Sequence, residues 1–484
     1  MSTASEALRN IQVRRRSQAP LSQGVVEGIT GALDALATML AGLVLHVMMS
    51  KGPLFQAPEL AAMGLSTLLV VLGLHAAGAY NFRAVMRPVQ QLPKIGLIIS
   101  SVFLVLVTLA FALKISTEFS RLWTFSWLLS AIGTVLLLRI LMALVLRRLA
   151  AAGRIGRKIV IFGAGPQSER LIERIERLDE PWNRIIGVFD DRLARTGESV
   201  GAYPVLGNLN DLVHWGRRDR PDEIIVALPW GAEERLIAVL QALAVLPSNV
   251  RLCSEFHRMD LIQGRANNQF GVPMLSAFEK PVDGWGRIYK RVFDLFLAFV
   301  ATLASLPLMA LIAVAIRLES PGPILFRQKR YGFNNALVEV YKFRTMQAMS
   351  SDVLGERLTA RHDPRVTRVG AFLRRLSLDE LPQLLNVLSG QMSVVGPRPH
   401  AIRTTAGGRQ CDEVLDQYAI RHKVKPGITG WAQVNGWRGT MEDEDHLIQR
   451  VKHDLYYINN WSPLFDIRIL VLTVWVVITG RNSF

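Results

Sequence analysis

Apolar residues gather in long blocks over the first third of the chain, roughly residues 29–49, 58–80, 95–115 and 122–146. Polar and basic residues fill the gaps between them. Each block is near the ~20 residues an α-helix needs to cross a hydrocarbon core. The third, "IGLIISSVFLVLVTLAFAL", is the most uniform, whereas Arg139 lies inside the fourth. A mid-depth arginine costs about 3 kcal/mol on insertion scales, so the pattern predicts that neighbouring helices bury it.

After residue 150 the period changes. "RKIVIFGAGPQSERLIERI" holds a short apolar strand, a Gly-rich turn and a helical pattern; "IIGVFDD", "EIIVALP" and "NVRLCSEF" are further strand candidates. Strands alternating with helices predict a parallel, Rossmann-like α/β domain over residues 151–280. Gly163 and Gly165 match two glycines of a dinucleotide fingerprint, Ser168 stands at the third, and Asp190 ends the second strand. Two readings stay open: a nucleotide site with the acid on a ribose, or a domain that keeps the tight turn and has lost or replaced the ligand.

A fifth apolar block, "LFLAFVATLASLPLMALIAVAI" at 295–316, is long enough to span. Its flanks argue otherwise, with Lys280, Arg287, Lys290 and Arg291 before it and Arg317, Arg327, Lys329 and Arg330 after it. Basic residues favour the cytoplasmic side, and Pro307 lacks the amide a helix interior needs. The expectation is a helix–break–helix over about 292–317 that enters and leaves by one face. A complete fifth span is the alternative; it would put everything after residue 317 outside. The tail "LFDIRILVLTVWVVI" has too short an uncharged run to cross and reads as an interfacial amphipathic helix.

Composition supports this division. The 484 residues are half hydrophobic, with a mean hydropathy of +0.24, as expected of a membrane protein with several domains. Cys253 and Cys411 lack metal-ligand spacing and make no disulfide framework, which fits a reducing compartment. A net charge of +16 would suit nucleic acid, an anionic membrane or phosphorylated substrates. The cations flank apolar blocks or surround one acid pair, and no nucleic-acid module occurs, so no nucleic-acid partner is expected. Arg14–Arg16, then Arg83, Arg87 and Lys94, then Arg147, Arg148, Arg154, Arg157 and Lys158 mark three cytoplasmic segments. Four transmembrane helices over 25–150 follow, behind a cytoplasmic tail of residues 1–24 without a cleavable signal.

The acid pair is Asp379 and Glu380, in "SLDELPQLLNVLSGQMSVVGPRP" at 377–399. Arg365, Arg368, Arg374 and Arg375 precede it, and Arg398 follows between Pro397 and Pro399. Ser377 to Glu380 fits a capping box, which would use Glu380 on a backbone amide and leave Asp379 over. A helix start here, with arginines nearby, would hold both acids ionised. In "VEVYKFRTM", Lys342 and Arg344 would share one strand face and call for an anion between them. Guanidinium suits bidentate phosphate binding, which makes Arg398 a candidate; His400 beside Pro399 is read as incidental. An ionised aspartate attacks phosphorus when arginines and Mg²⁺ screen the repulsion, the metal being held by one or two carboxylates and substrate phosphates.

Over about 285–484, "KRVFDLFLA", "SPGPILFRQKRYG", "YKFRTM", "DPRVTRVGAFLRRLSLDELPQLLNVLSGQMSVVGPRP" and "KVKPGITGWAQVNGWRG" closely resemble the bacterial sugar transferase family. These are the monotopic polyprenyl-phosphate phosphoglycosyl transferases, and the layout of residues 1–280 is similar to that of their large members. The resemblance implies an α+β phosphoglycosyl transferase domain over 281–484 with a re-entrant membrane helix. It implies transfer of hexose-1-phosphate from a UDP-sugar to undecaprenyl phosphate, releasing UMP through an aspartyl-phosphosugar, with glucose preferred over galactose. Asp379 would be nucleophile and Mg²⁺ ligand, Glu380 its assistant, and Lys342, Arg374 and Arg398 phosphate contacts; Arg344 is added from strand alternation. Many members have Ser-Pro at the membrane-helix break, whereas here Leu306 precedes Pro307 and the serine is Ser305. The resemblance also implies a multi-pass protein of the bacterial inner membrane, its catalytic domain on the cytoplasmic face, making the first membrane step of exopolysaccharide, capsule or O-antigen synthesis. A homodimer is left open. The alternative from another class is a membrane-anchored nucleotide-sensing regulatory protein, which leaves the cation–carboxylate array unexplained.

Overall fold

The computed structural model describes residues 22–49, 57–152, 155–192, 198–253, 267–270, 272–347, 364–402, 404–439 and 443–479, so the basic N-terminal tail lies outside the described residues. They fall into two compact units, one reaching to Arg157 and including Glu180–Arg184, the other holding Lys158–Asp179 and the chain from Ile185 onward.

The first unit is helical: α1 (Gln23–Met49), α2 (Ala57–Ala76), α3 (Leu92–Ala112) and α4 (Arg121–Ala151). All four belong to segments long and apolar enough to cross a membrane. Their core is built from Met63, Val70, Leu74, Ile95, Ile99, Trp123 and Trp127, while residues such as Leu68, Leu104 and Leu137 face outward. Helices apolar on every side suit lipid rather than water. Gly42 allows close packing of α1 on α4, because a Cβ there would stand 2.7 Å from the Trp127 ring. Arg139 is 2 % exposed, as the pattern predicts. Its Nε and Nη2 donate to Asp34 Oδ2 at 3.2 and 2.6 Å, and Nη1 donates to the Ala79 carbonyl at 2.8 Å. The arginine is therefore half of a buried ion pair that ties α4 to α1.

The second unit opens on the α/β sheet. Its strands are β1 (Arg157–Phe162), β2 (Asn183–Phe189), β3 (Glu223–Val226), β4 (Asn249–Cys253), β5 (Asn267–Gln269) and β6 (Val272–Phe278). Helices α5 (Pro166–Arg177), α6 (Leu209–Asp219) and α7 (Glu233–Leu243) lie between them. Strand order is β2-β1-β3-β4-β6-β5, with β3 parallel to both β1 and β4. The sheet departs from the all-parallel expectation at one edge, where β6 is antiparallel to β4 and to β5. Two residues separate β5 from β6, too few for a crossover.

Next comes α8 (Gly284–Glu319), a single 36-residue helix that continues through Pro307. The expected break in helical structure is therefore absent. Pro307 still lacks an amide for the Leu303 carbonyl, but the Ser305 hydroxyl donates back to the Ala301 carbonyl at 2.7 Å and the turns on either side hold. Beyond α8 lie the hairpin β7 (Leu325–Tyr331) and β8 (Leu337–Phe343), α9 (Arg368–Arg375), α10 (Gln383–Leu388), and β9 (Ser393–Val395) parallel to β10 (Gly427–Thr429). Helices α11 (Glu444–Asn459) and α12 (Pro463–Thr479) complete it.

Both ends of α8 grip this small domain. Near its start, Arg291 donates to the Val387 and Leu388 carbonyls at the end of α10 (2.7 and 2.9 Å), and Asp294 accepts from Ser393 Oγ and Val394 N. Near its end, Ile312 and Ile316 share a buried cluster with Phe343 and Leu373, and the Glu319 carboxylate accepts from Val369 N. Between these anchors Phe299, Leu303, Leu306 and Leu311 are exposed. Helix α12 likewise turns Leu464, Ile467, Val471, Val474 and Trp475 outward while its Asp466 is buried on Lys290 and Tyr457.

Candidate active site

Strand β8 and helix α10 form the frame. Asn386 on α10 accepts from Tyr341 N at 3.0 Å and donates to the Glu339 carbonyl at 2.6 Å, fixing the helix to the strand edge. This places the 3₁₀ turn Leu378–Glu380 beside Lys342. The "VGPRP" segment reaches the same place from β9. Gly396 lets it run close to its neighbour, since a Cβ there would lie 2.5 Å from the Lys425 carbonyl.

Glu380 is fully engaged. Lys342 Nζ donates to its Oε1 at 2.9 Å, Arg398 makes a two-pronged contact with both oxygens, and Arg438 Nη2 stands 3.9 Å from Oε2. Burial alone would raise this carboxyl, but Arg398, Lys342 and Arg438 hold it well below the usual carboxylate range. Asp379 differs. Its carboxylate accepts no hydrogen bond among the described residues, and its nearest cation, Lys342, is 3.9 Å away. Burial pushes it above the usual aspartate range; Glu380 adds to the shift, against Lys342, Arg398 and Arg374. The two acids are therefore held differently, whereas the sequence predicts that both are pulled towards ionisation.

The capping box does not form. Ser377 is left-handed at φ 57° and makes no side-chain cap; its hydroxyl accepts from Arg438 Nη2 at 2.8 Å, and Glu380 turns to the cations instead. Lys342, Arg374 and Arg398 all face the acid pair, with Arg374 Nε also donating to Thr345 Oγ1 at 2.9 Å. Arg344 does not join them. Strand β8 ends at Phe343, alternation lapses, and the Arg344 guanidinium is spent on the Ser320 and Pro321 carbonyls at 2.7 and 2.9 Å. Its place is under the end of α8. Ser305 and Pro307 lie within α8, away from these groups in the chain, and among the described residues the Ser305 hydroxyl bonds within its own helix.

Three groups escaped the sequence reading. Arg438 and Arg330 sit in the quoted stretches "GWRG" and "RQKRYG", but nothing local marks them as neighbours of residues 379 and 380. Arg421 is buried, donates to Asp454 Oδ2 (3.1 and 2.7 Å) and to the Arg398 carbonyl (2.8 Å), and so braces the arginine that grips Glu380. His400 belongs to this brace: Nδ1 meets Tyr418 Oη at 2.8 Å, and burial, with Arg421 and Arg450 nearby, holds its pKa well below the ordinary value.

A divalent cation fits one part of this arrangement. Asp379 offers oxygen atoms that no donor occupies, yet no group of three His, Cys, Asp or Glu stands together among the described residues. A hard cation here would take its remaining ligands from substrate phosphates and water. The α/β turn is a poorer fit for a phosphorylated ligand. Asp190 Oδ2 accepts from Ala164 N at 2.7 Å and Ser168 Oγ from Gly165 N at 2.9 Å, so the two amides a diphosphate would need are taken, one of them by a carboxylate.

A family model described as bacterial sugar transferase matches residues 285–480, and one described as CoA-binding domain matches 75–254. An undecaprenyl-phosphate glucose phosphotransferase from Komagataeibacter xylinus is 37% identical over 87% of this chain and 79% of its own. A UDP-glucose:undecaprenyl-phosphate glucose-1-phosphate transferase from Escherichia coli is 38% identical over 68% of this chain and 69% of its own. A UDP-N-acetylgalactosamine-undecaprenyl-phosphate N-acetylgalactosaminephosphotransferase from Aeromonas hydrophila is 44% identical, but over only 40% of this chain and 44% of its own. The chain belongs to the bacterial sugar transferase family, as a membrane protein that carries a Rossmann-like α/β domain.

Proposed function

We propose that this protein transfers glucose-1-phosphate from UDP-glucose to undecaprenyl phosphate, releasing UMP, and so starts the repeat unit of an exported polysaccharide. The observation that carries the chemistry is the division of labour between the acids: Glu380 is locked by three cations while the Asp379 carboxylate is left unbonded among them. Glucose is preferred because the relatives matching most of the chain carry that sugar in their names, and the N-acetylgalactosamine enzyme matches less than half.

Asp379 attacks the β-phosphorus of UDP-glucose. One O–P bond forms to the carboxylate, the bridging P–O bond breaks, and its electron pair leaves with UMP. A phosphate oxygen of undecaprenyl phosphate then attacks the same phosphorus, forming the lipid diphosphosugar and freeing Asp379. No net proton is consumed by these two displacements. Lys342 and Arg398 keep positive charge where the equatorial phosphoryl oxygens gather negative charge, and Arg374 adds to it. Glu380 holds Lys342 and Arg398 in place. Mg²⁺, bound through Asp379 and substrate phosphates, would supply Lewis-acid screening of the pyrophosphate.

The membrane arrangement is proposed on the same footing. Four helices, α1–α4, span the bacterial inner membrane, and the α/β domain and residues 281–484 lie on the cytoplasmic side. A bend at Pro307, short of a break in helical structure, would let helix α8 dip in and return. Supporting this, Ala298 shares a cluster with Val340, and Ile312 and Ile316 share one with Phe343. Those two anchor residues belong to one strand and lie about 10 Å apart, so the stretches on either side of Pro307 pack against one and the same domain.

Purified protein incubated with radiolabelled UDP-glucose, Mg²⁺ and no lipid acceptor tests the reading. The expected outcome is one equivalent of UMP and a sugar-phosphate adduct on Asp379, found by mass spectrometry. Asp379→Asn is expected to lose both by more than about 10³-fold while staying folded. Exhaustive chelation is expected to stop UMP release. An active Asp379→Asn enzyme would remove the nucleophile.

A further inference from the structure

Ser377 follows Leu376, the C-cap of α9; its amide donates to the Arg374 carbonyl at 3.1 Å and its backbone is left-handed. Glycine is the usual residue at such a helix end, because a Cβ opposes that conformation. The serine hydroxyl has a specific use here: it accepts from Arg438 Nη2 at 2.8 Å. Arg438 in turn is presented from a built platform. The buried Arg450 of α11 donates through Nε to the Trp437 carbonyl at 2.7 Å and through Nη2 to the Gly439 carbonyl at 2.6 Å, the two carbonyls on either side of Arg438. Arg438 also stands 3.9 Å from Glu380.

We infer that Arg438 is a positioning residue for the proposed phosphoryl transfer: held out by Arg450, it latches onto Ser377 and fixes the left-handed turn from which Asp379 is aimed. Only Leu378 separates the latch from the nucleophile, so the direction of the chain at Ser377 sets where the Asp379 carboxylate lies. The inference rests on the reaction proposed above. It assigns Arg438 an action through Ser377 rather than on substrate.

Substitutions at Ser377 separate the latch from backbone conformation. Ser377→Gly removes the hydroxyl and relieves the backbone, whereas Ser377→Ala removes the hydroxyl and keeps the Cβ. In detergent-purified full-length protein, Ser377→Gly is expected to melt no lower than wild type and Ser377→Ala lower. Both should release UMP from UDP-glucose with kcat reduced by about 10- to 100-fold and KM changed less than about twofold. Arg438→Lys, which keeps one charged donor, is expected to retain more kcat than Arg438→Ala. Wild-type kcat in Ser377→Gly would overturn the latch. A raised KM with unchanged kcat in Arg438→Lys would make Arg438 a substrate ligand and also overturn it. If wild-type protein releases no UMP from UDP-glucose, the proposed reaction fails and takes the latch with it; an active wild type beside a fully active Ser377→Gly defeats the latch alone.

Discussion

Glu380 and Asp379 are neighbours in the chain with opposite electrostatic fates, and two tests follow from that. Glu380→Gln leaves Lys342, Arg398 and Arg438 crowded without their counter-charge, and breaking a buried charged cluster from one side costs about 3–5 kcal/mol. A clear loss of thermal stability in detergent, together with loss of turnover, is the expected result. Because its folded pKa lies below the ordinary 4.5, Glu380 contributes stability above pH 4.5 that is lost as the pH falls through its depressed value. Asp379 has the opposite sign. In the proposed reaction only its carboxylate attacks, and its pKa is raised, so a pH profile of kcat/KM for UMP release should show an acid limb above the 3.8 of an ordinary aspartate. At this scale the sequence was readable for charge and not for direction. Lys342, Arg374 and Arg398 were visible as cations near an acid pair, but S-x-x-E suggested a cap because the pattern is local. The partner that turns Ser377 away from capping is 61 residues further on.

At the scale of elements, the apolar blocks and the α/β alternation predicted α1–α4 and strands β1–β4 closely, since length and period are local properties. The burial of Arg139 was also legible, because an arginine amid lipid-length apolar sequence has few alternatives. Its partner was not, although Asp34 stands inside the first block. Asp34→Leu and Arg139→Leu should each destabilise the fold by about 3–5 kcal/mol and so lower the thermal midpoint strongly, and the double variant should recover most of the loss. A double-variant midpoint no better than either single would show that the pair does not stabilise the bundle through its charges. Two expectations failed for reasons of geometry. Arg344 lies one residue past the end of β8, where alternation no longer holds, and Pro307 sits in a helix whose neighbouring turns carry it.

For the molecule as a whole, the basic flanks of α8 serve two ends at once. Lys290 and Arg291 read as orientation signals in the sequence, and the structure also spends them on the Val395, Val387 and Leu388 carbonyls of the catalytic region. In the proposed arrangement these cations and the domain they hold lie together on one side of the bilayer. Single cysteines at Arg287→Cys and Leu318→Cys are expected to react with a membrane-impermeant maleimide in inverted vesicles and not in intact cells; opposite labelling would establish a complete fifth crossing. Cys253 and Cys411 are buried and should give little background.

The outward faces of α8 and α12 have a practical consequence. Cutting the chain at residue 280 would remove every helix of the first unit, yet Phe299, Leu303, Leu311, Val471 and Trp475 would remain uncovered. Such a fragment would clump in plain buffer and need a micelle or nanodisc to stay dispersed. Loss of the multi-pass portion would thus not convert the catalytic half into a free-floating cytosolic protein.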